Sequence, residues 1–361
     1  MSRCPRPIFF SLVFTGLALA MLSGVLLGPV AIPLTALLEA VATSFAATPA
    51  SVDPELQRQL LILSAIRLPR MLLAALVGAC LALCGAAMQG LFRNPLADPT
   101  LIGVSAGASL GASLVIVLAP ALLGSGAMGG VLAATLSLSL MVVGAFVGGC
   151  LAVLLVYRLA TAPGVGAPGS TSIATMLLAG IAISALAGAG NSLLSFYADN
   201  EMLRRISLWQ MGRLDGADWP RVGLATAVLS LLLVGLLGQG RALNALLLGE
   251  SQARYLGIEV EHLKRRVILL TALGVGVTVA VAGSIVFVGL VVPHMVRLVI
   301  GPDHRFLLPA STLLGAALLV VADVLSRLVV APAELPVGVV TALLGVPFFF
   351  SLLVRQRNGG V

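Results

Sequence analysis

The sequence predicts an all-α, polytopic membrane protein with about ten transmembrane helices arranged in two halves of inverted topology. Three observations support this class: 59% of the 361 residues are hydrophobic, only 10% are charged, and long apolar runs recur from end to end. A soluble domain carries about 25% charged residues, and about 20 consecutive apolar residues suffice to cross a bilayer as a helix. The composition therefore argues against an ordinary soluble domain.

Ten apolar segments cover the chain in order. The first follows Arg3 and Arg6, and it is long enough to span the bilayer rather than to serve as a signal peptide. The ten segments lie at 8–28, 68–91, 97–119, 131–157, 172–196, 219–238, 267–284, 286–300, 306–328 and 337–354. Only the sequence GSIVFVG separates the seventh from the eighth, so nine or eleven spans are alternatives.

The basic residues favour one orientation of these segments. An even number of spans places both termini on the same side of the membrane. If that side is the cytoplasm, twelve of the 21 Lys and Arg residues lie inside, eight lie outside and Arg297 lies within a span. Cytoplasmic loops usually carry the excess of Lys and Arg, so we expect cytoplasmic termini. The net charge of +7 then reflects arginines at span ends in contact with membrane lipid, and no nucleic-acid partner is expected.

An internal repeat supports the two halves. Residues 67–103 align without gaps on residues 265–301, at an offset of 198 positions. The alignment pairs Gly78 with Gly276, Gly85 with Gly283, Pro95 with Pro293 and Gly103 with Gly301. Five spans separate the copies, and an odd number gives them opposite orientations, as in many transporters. We therefore expect a single transmembrane domain, residues 1–361, with approximate halves 1–200 and 201–361.

Prolines predict interruptions in two of the helices. Proline removes a backbone donor and disfavours a helical conformation in the residue before it. The sequences NPLADP at 94–99 and VVPHMV at 291–296 should therefore kink or break their helices.

One polar segment stands out, GESQARYLGIEVEHLKRR at residues 249–266, with seven charges in eighteen positions. Two short helix-forming stretches flank Gly257, which can take the conformation that ends the first. The alternative is an ordinary solvated loop. Because the only lysine, Lys264, is followed by arginine, the chain has no GxxxxGK[ST] phosphate-binding loop, and any ATP hydrolysis must belong to another polypeptide. We expect such a partner to dock on this segment.

The other source of energy is an ion gradient, which generally requires ionisable groups within the spans. The spans contain few such groups, and the exceptions are His294, Arg297 and Asp323. Asp323 precedes Arg327 by four residues, a spacing that favours an ion pair along one helix face over a proton relay. The three histidines are scattered, so no metal site is expected. A gradient-driven secondary transporter and a membrane scaffold are the competing classes.

Four stretches together resemble the permease subunits of type II ABC importers, the family that takes up iron chelates, haem and cobalamin. These stretches are residues 67–112, 246–260, 289–305 and 322–349. The resemblance implies a homodimer in the bacterial inner membrane, two cytoplasmic ATP-binding subunits that hold ATP and Mg²⁺, and a periplasmic substrate-binding protein. It implies no catalytic residue and no cofactor bound by this chain.

The resemblance also assigns roles to particular residues. It places coupling helices at residues 246–264, with ATPase contacts at Glu250, Arg254, Tyr255, Gly257 and Glu261. It places binding-protein docking at Arg67, Arg70 and Arg327, and a cytoplasmic gate at Asn94, Leu96, Thr171 and Ser172. Residues 170–219 look most like the haem-importing branch, so haem is the expected cargo, with ferric siderophores and cobalamin as alternatives.

Overall fold

The computed structural model describes residues 5–28, 54–123, 131–161 and 172–358, and within these ranges the regular elements are helices. The helices are α1 (Arg6–Leu26), α2 (Pro54–Ile62), α3 (Leu68–Phe92), α4 (Val104–Leu123), α5 (Val131–Ala160), α6 (Ile173–Tyr197), α7 (Asn200–Gln210), α8 (Trp219–Leu237), α9 (Gly240–Leu246), α10 (Glu250–Tyr255), α11 (Val260–Ala282), α12 (Val288–Ile300), α13 (His304–Leu328) and α14 (Val337–Asn358). A π-helical turn, Leu63–Arg67, joins α2 to α3, and a 3₁₀ turn, Pro99–Ile102, precedes α4.

Each of the ten predicted segments corresponds to a helix, which confirms the polytopic helical class. Among the described residues, seven helices are long and apolar enough to cross a membrane. Three shorter apolar helices, Val104–Leu118, Val288–Ile300 and Val337–Ser351, account for the other segments. At 1.5 Å per residue, the 13 residues of α12 measure about 20 Å, less than the hydrocarbon core of about 30 Å. This helix alone therefore reaches only part of the way across.

Helices of the two halves pack against each other at the centre of the bundle. The first half consists of α3 to α6 and the second of α11 to α14. In each half the first helix packs on the second and third helices of the other: α3 lies against α12 and α13, and α11 lies against α4 and α5. The helices α3 and α11 also contact each other. This reciprocal packing is the arrangement expected of two related halves that share one core.

Glycines allow α3 and α13 to pack closely in an antiparallel pair. A Cβ atom on Gly78 would meet the backbone oxygen of Gly315, so neither helix tolerates a side chain at this crossing. Gly90 faces the imidazole of His304, and Arg70 pairs with Asp323 near the other termini of the two helices. Because α13 has 25 residues, or about 37 Å, its ends define two opposite ends of the bundle.

The predicted break at residues 94–99 is confirmed. Helix α3 ends at Phe92, and Arg93 adopts a left-handed conformation with φ of 51°. The Asp98 carboxylate then accepts a hydrogen bond from the Thr100 amide at 2.8 Å and starts the 3₁₀ turn. The local signals of proline and aspartate are therefore sufficient here.

At residues 291–296 the predicted break is wrong, and a kink there stays a prediction. Helix α12 continues through Pro293, and the break lies earlier, at residues 283–287, where Gly283 and Phe287 both have φ of 70°. A neighbouring helix supports α12 one turn before the proline, because the side-chain amide of Gln89 donates to the Leu290 carbonyl at 3.1 Å.

The position of this break also corrects the repeat alignment. Gly85 lies in the middle of α3, whereas Gly283, its partner in the ungapped alignment, follows the end of α11. The two halves thus correspond in how their helices pack. The ungapped alignment, however, does not pair equivalent positions.

Candidate functional site

The polar segment folds as the predicted helical hairpin. Residues 246–264, called here the coupling hairpin, comprise the end of α9, all of α10 and the first turn of α11. Helix α10 begins after Gly249, with φ of 113°, and the chain turns again at Gly257, with φ of 80°. Both values favour glycine. The prediction that Gly257 joins two helical stretches is confirmed.

Three of the predicted contact residues gather around Lys264, which sequence reasoning did not assign. The Lys264 ammonium donates to Glu250 at 2.9 Å and to Glu261 at 3.1 Å, and its side chain is only 2% exposed. Arg254 lies 3.9 Å from both carboxylates. The three-residue spacing of Glu261 and Lys264 on one helix was a signal that could have identified part of this cluster.

The outer surface of the coupling hairpin exposes large apolar side chains and an aromatic one among polar residues. Tyr255 is 91% exposed, and both the adjacent Leu256 and Leu248, just before α10, are exposed as well. The carboxylates of Glu250 and Glu261 instead point towards Lys264. Of the five predicted contacts, Tyr255 is therefore the side chain that projects most fully from the hairpin.

A second set of polar contacts connects α9, which leads into the coupling hairpin, to α13. The Asn244 side chain, on α9, donates to the Asp303 carboxylate at 2.6 Å and accepts from the His304 amide at 2.9 Å. Asp303 caps α13 and also accepts hydrogen bonds from Arg305. The Arg305 hydrogen bonds, helped by the one from Asn244, hold the pKa of the Asp303 carboxyl well below its usual range.

The predicted docking arginines lie together at the opposite end of the bundle. Arg70 donates to Asp323 at 2.9 Å and to Glu334 at 2.8 Å, and Arg327 pairs with Asp323 at 3.0 Å. The predicted ion pair between Asp323 and Arg327 is thus confirmed. We refer to Arg67, Arg70, Asp323, Arg327 and Glu334 as the arginine cluster.

Backbone carbonyls at the end of α1 complete the arginine cluster. Arg67 donates to the carbonyls of Val25 and Leu26, the latter at 3.0 Å, and Arg327 donates to that of Leu27 at 3.1 Å. All three arginines are between 3% and 8% exposed. They therefore point into the bundle in this conformation rather than forming an open rim. Their docking role stays a prediction, and this burial weighs against direct contact with a partner.

More exposed arginines at the same end occur on and after α7. Arg205 pairs with Glu201 within α7, and the amide of Arg213 donates to the Ala282 carbonyl at the end of α11. The side chains of Arg205 and Arg213 are 61% and 37% exposed. These positions, which the resemblance did not single out, are more accessible to a partner than Arg70.

The predicted gate residues fall in separate turns. The Asn94 side chain accepts from the Leu96 amide at 2.9 Å and shapes the turn after α3. Ser172 caps α6 by accepting from the Thr175 amide at 3.3 Å, and Thr171 lies outside the described residues. Between residues that the structure describes, no hydrogen bond joins Ser172 to Asn94 or Leu96. The gate stays a prediction.

The bundle of apolar helices and the protruding hairpin define a membrane-spanning helical protein. Comparison with known proteins agrees. The model of the FecCD transport family matches residues 16–355, and the chain belongs to this family of ABC importer permeases.

Individual relatives and a solved structure extend the comparison. The hemin transport system permease protein HmuU of Yersinia pestis is 47% identical over 81% of this chain and 83% of its own length. The cobalamin import system permease protein BtuC of Halobacterium salinarum is 43% identical, over 82% and 74%. A solved structure described as an inward-facing metal-chelate type ABC transporter gives a TM-score of 0.79 at 29% identity, covering 97% of this chain and 99% of that one.

Proposed function

We propose that this chain is the permease of a homodimeric, binding-protein-dependent ABC importer that moves haem across the bacterial inner membrane. The coupling hairpin carries the proposal, because it projects an aromatic residue, Tyr255, from one end of the bundle, and the sequence has no GxxxxGK[ST] phosphate-binding loop. The similarity to the hemin permease favours haem, and the cobalamin relative makes cobalamin the second candidate. Ferric siderophores are the third.

In this proposal two cytoplasmic ATPase subunits, which hold ATP and Mg²⁺, engage the coupling hairpins of two permease copies. Both chain termini and the coupling hairpin then lie on the cytoplasmic side, and the arginine cluster lies on the periplasmic side, where the binding protein docks. The hairpin is connected to the membrane helices through Lys264 on α11 and, by way of the preceding helix α9, through the contacts of Asn244 with the start of α13. Closure of the ATPase subunits would therefore move helices of the second half first.

The alternative of gradient-driven transport is less well supported. A proton relay needs a carboxyl group that can bind and release a proton inside the span. Asp323 is fully buried and pairs with both Arg70 and Arg327, so it belongs to a cluster of ion pairs. This geometry favours a structural role for Asp323 over a proton relay.

The decisive experiment is uptake in proteoliposomes that contain this chain with its cognate ATPase and binding protein. Haem, a ferric siderophore and cobalamin are supplied in parallel, with and without ATP. ATP-dependent uptake of haem alone supports the full proposal, and uptake of another chelate retains the mechanism but replaces the cargo. Uptake that persists without the ATPase would overturn the mechanism.

The contact itself is tested by Tyr255→Ala. An aromatic side chain that is exposed in the free subunit and buried in a complex is typical of residues that dominate interfaces. The variant should lose co-purification of the ATPase while retaining the fold. Tyr197→Ala is the matched control, because Tyr197 is also exposed but lies at the end of α6. Equal retention of the ATPase by both variants would remove Tyr255 from the interface.

A further inference from the structure

Helix α10 has little apolar packing to hold it in place. It contains six residues, and Ala253 is the buried residue among them. The segment that joins α10 to α11 includes Gly257, where an added Cβ atom would meet nothing within 4 Å. Burial of one alanine stabilises a fixed arrangement far less than burial of a larger side chain, so polar contacts must supply much of the attachment.

Lys264 supplies such a contact between the two helices. Its carbon chain starts on α11, and its ammonium reaches Glu250 on the first turn of α10 as well as Glu261 on its own helix. With Arg254 nearby, the group contains two cationic and two anionic side chains, so its formal charge is balanced. A buried ammonium is costly unless it is paired in this way.

The charges also differ in exposure in a way that fits an internal bridge. The Lys264 side chain is 2% exposed, whereas those of Glu250 and Glu261 are 29% and 33% exposed. The ammonium is therefore inaccessible to a docking partner, and it acts on the outer surface of the hairpin only through the residues it holds. The next two residues, Arg265 and Arg266, are exposed and offer no comparable bridge.

We infer that Lys264 is a positioning residue that fixes α10 against α11, so that a displacement of the coupling hairpin moves α11 instead of being absorbed at Gly257. The inference rests on the proposed function, in which an ATPase acts on this hairpin. In this inference Lys264 transmits the movement, and other residues of the hairpin, such as Tyr255, contact the ATPase directly.

The test compares Lys264→Met with Lys264→Arg and with the control Arg158→Met, which removes an exposed charge at the end of α5. Haem uptake per ATP hydrolysed is measured in proteoliposomes, together with the amount of co-purified ATPase. Lys264→Met should lower the ratio by about fivefold or more, the range of typical coupling energies, while the ATPase remains bound. Lys264→Arg should restore most of the ratio. A fall in uptake and ATP hydrolysis by the same factor would indicate a merely structural role and overturn the inference.

A second variant separates loss of the bridge from the cost of unpaired buried charge. The triple change Lys264→Met, Glu250→Gln and Glu261→Gln removes the three charges while keeping similar shapes, so it should fold even if the single variant does not. We expect it to remain uncoupled. Wild-type coupling in the triple variant would show that the ionic bridge is unnecessary.

A spectroscopic measurement makes failure of this inference distinguishable from failure of the proposed function. Spin labels at Ser251 and Arg265, introduced after replacement of the native cysteines, report the distance between α10 and α11 without any ATPase. The distance distribution should broaden in Lys264→Met, and an unchanged distribution would overturn the inference. Absence of ATP-driven uptake by the wild-type complex, with the broadening observed, would instead refute the proposed function.

Discussion

Replacing Asp323 with asparagine tests how much the arginine cluster stabilises the antiparallel pair of α3 and α13. Asparagine keeps the shape of the side chain and one acceptor oxygen, so the change removes little except the charge. The carboxylate lies 2.9 Å from Arg70 and 3.0 Å from Arg327 and is fully buried. At an effective dielectric constant of about 20, each pair attracts by about 6 kcal/mol before the cost of desolvation.

The net effect is smaller than this gross attraction but still large. Removing one partner of a buried ion pair usually costs about 3–5 kcal/mol, because the other charge stays buried without compensation. Here that charge is Arg327, since Arg70 keeps its ion pair with Glu334. At about 2 °C per kcal/mol, the variant should unfold at least about 6 °C below the wild type when thermal unfolding is followed in detergent. Adding Arg327→Met to Asp323→Asn should recover part of this loss, since the uncompensated charge of Arg327 is then removed.

The control for this prediction is Asp215→Asn. Asp215 pairs with Arg213 at the same end of the bundle, but the two side chains are 42% and 37% exposed. Exposed pairs contribute about 0–1 kcal/mol and are screened by salt. The reasoning would be refuted if Asp323→Asn shifted the unfolding temperature no more than Asp215→Asn, or if 1 M salt abolished the difference between Asp323→Asn and the wild type.

Two further predictions concern packing and pH. Gly85→Ala should destabilise the protein by about 1–3 kcal/mol, because the new Cβ would collide with the backbone of Gly289. Gly223→Ala is the control: its new Cβ would meet nothing within 4 Å, so it should stabilise its helix by about 0.5–1 kcal/mol. Shifts of the same sign in the unfolding temperatures of the two variants would contradict this prediction. The Asp303 carboxyl, whose pKa is lowered mainly by Arg305 and also by Asn244, contributes stability above its unfolded pKa of about 3.9 and loses it as the pH falls through the lower folded value. The difference in unfolding temperature between the wild type and Asp303→Asn should therefore be the same at pH 7 and pH 5, and a difference that disappears by pH 5 would refute the assignment.

The sequence predicted the features that depend on local pattern. Ten apolar segments could be located because hydropathy is a property of consecutive residues and each helix must satisfy its own backbone within the bilayer. The junction at Gly257 could be located because a glycine followed a short helix-forming stretch, and its φ of 80° requires little of its neighbours. The turn after α3 carried its own proline and aspartate signals.

Features that depend on distant partners were not predictable in the same way. An arginine at the end of a span is compatible with a lipid headgroup, an open rim or a buried ion pair. Arg70 forms an ion pair with Glu334, which is 264 residues away in the sequence, and no local pattern indicates that contact. Pro293 was misleading for a related reason, because α3 supports the helix that contains it through Gln89. The burial of Lys264 likewise depends on how α10 folds back onto α11.

The distribution of charge along α3 and α13 bears on how movement could cross the membrane. The sequence contains no Asp, Glu, Lys or Arg between Arg70 and Arg93 on α3, and none between Arg305 and Asp323 on α13. The intervening contact is formed by small residues, with Gly78 against Gly315. Close packing of this kind transmits displacement well but offers no ionisable group for a relay. A helix pair with its charges at the two ends and a tightly packed apolar centre is suited to moving as a rigid body, as the proposed action of an ATPase on the coupling hairpin would require.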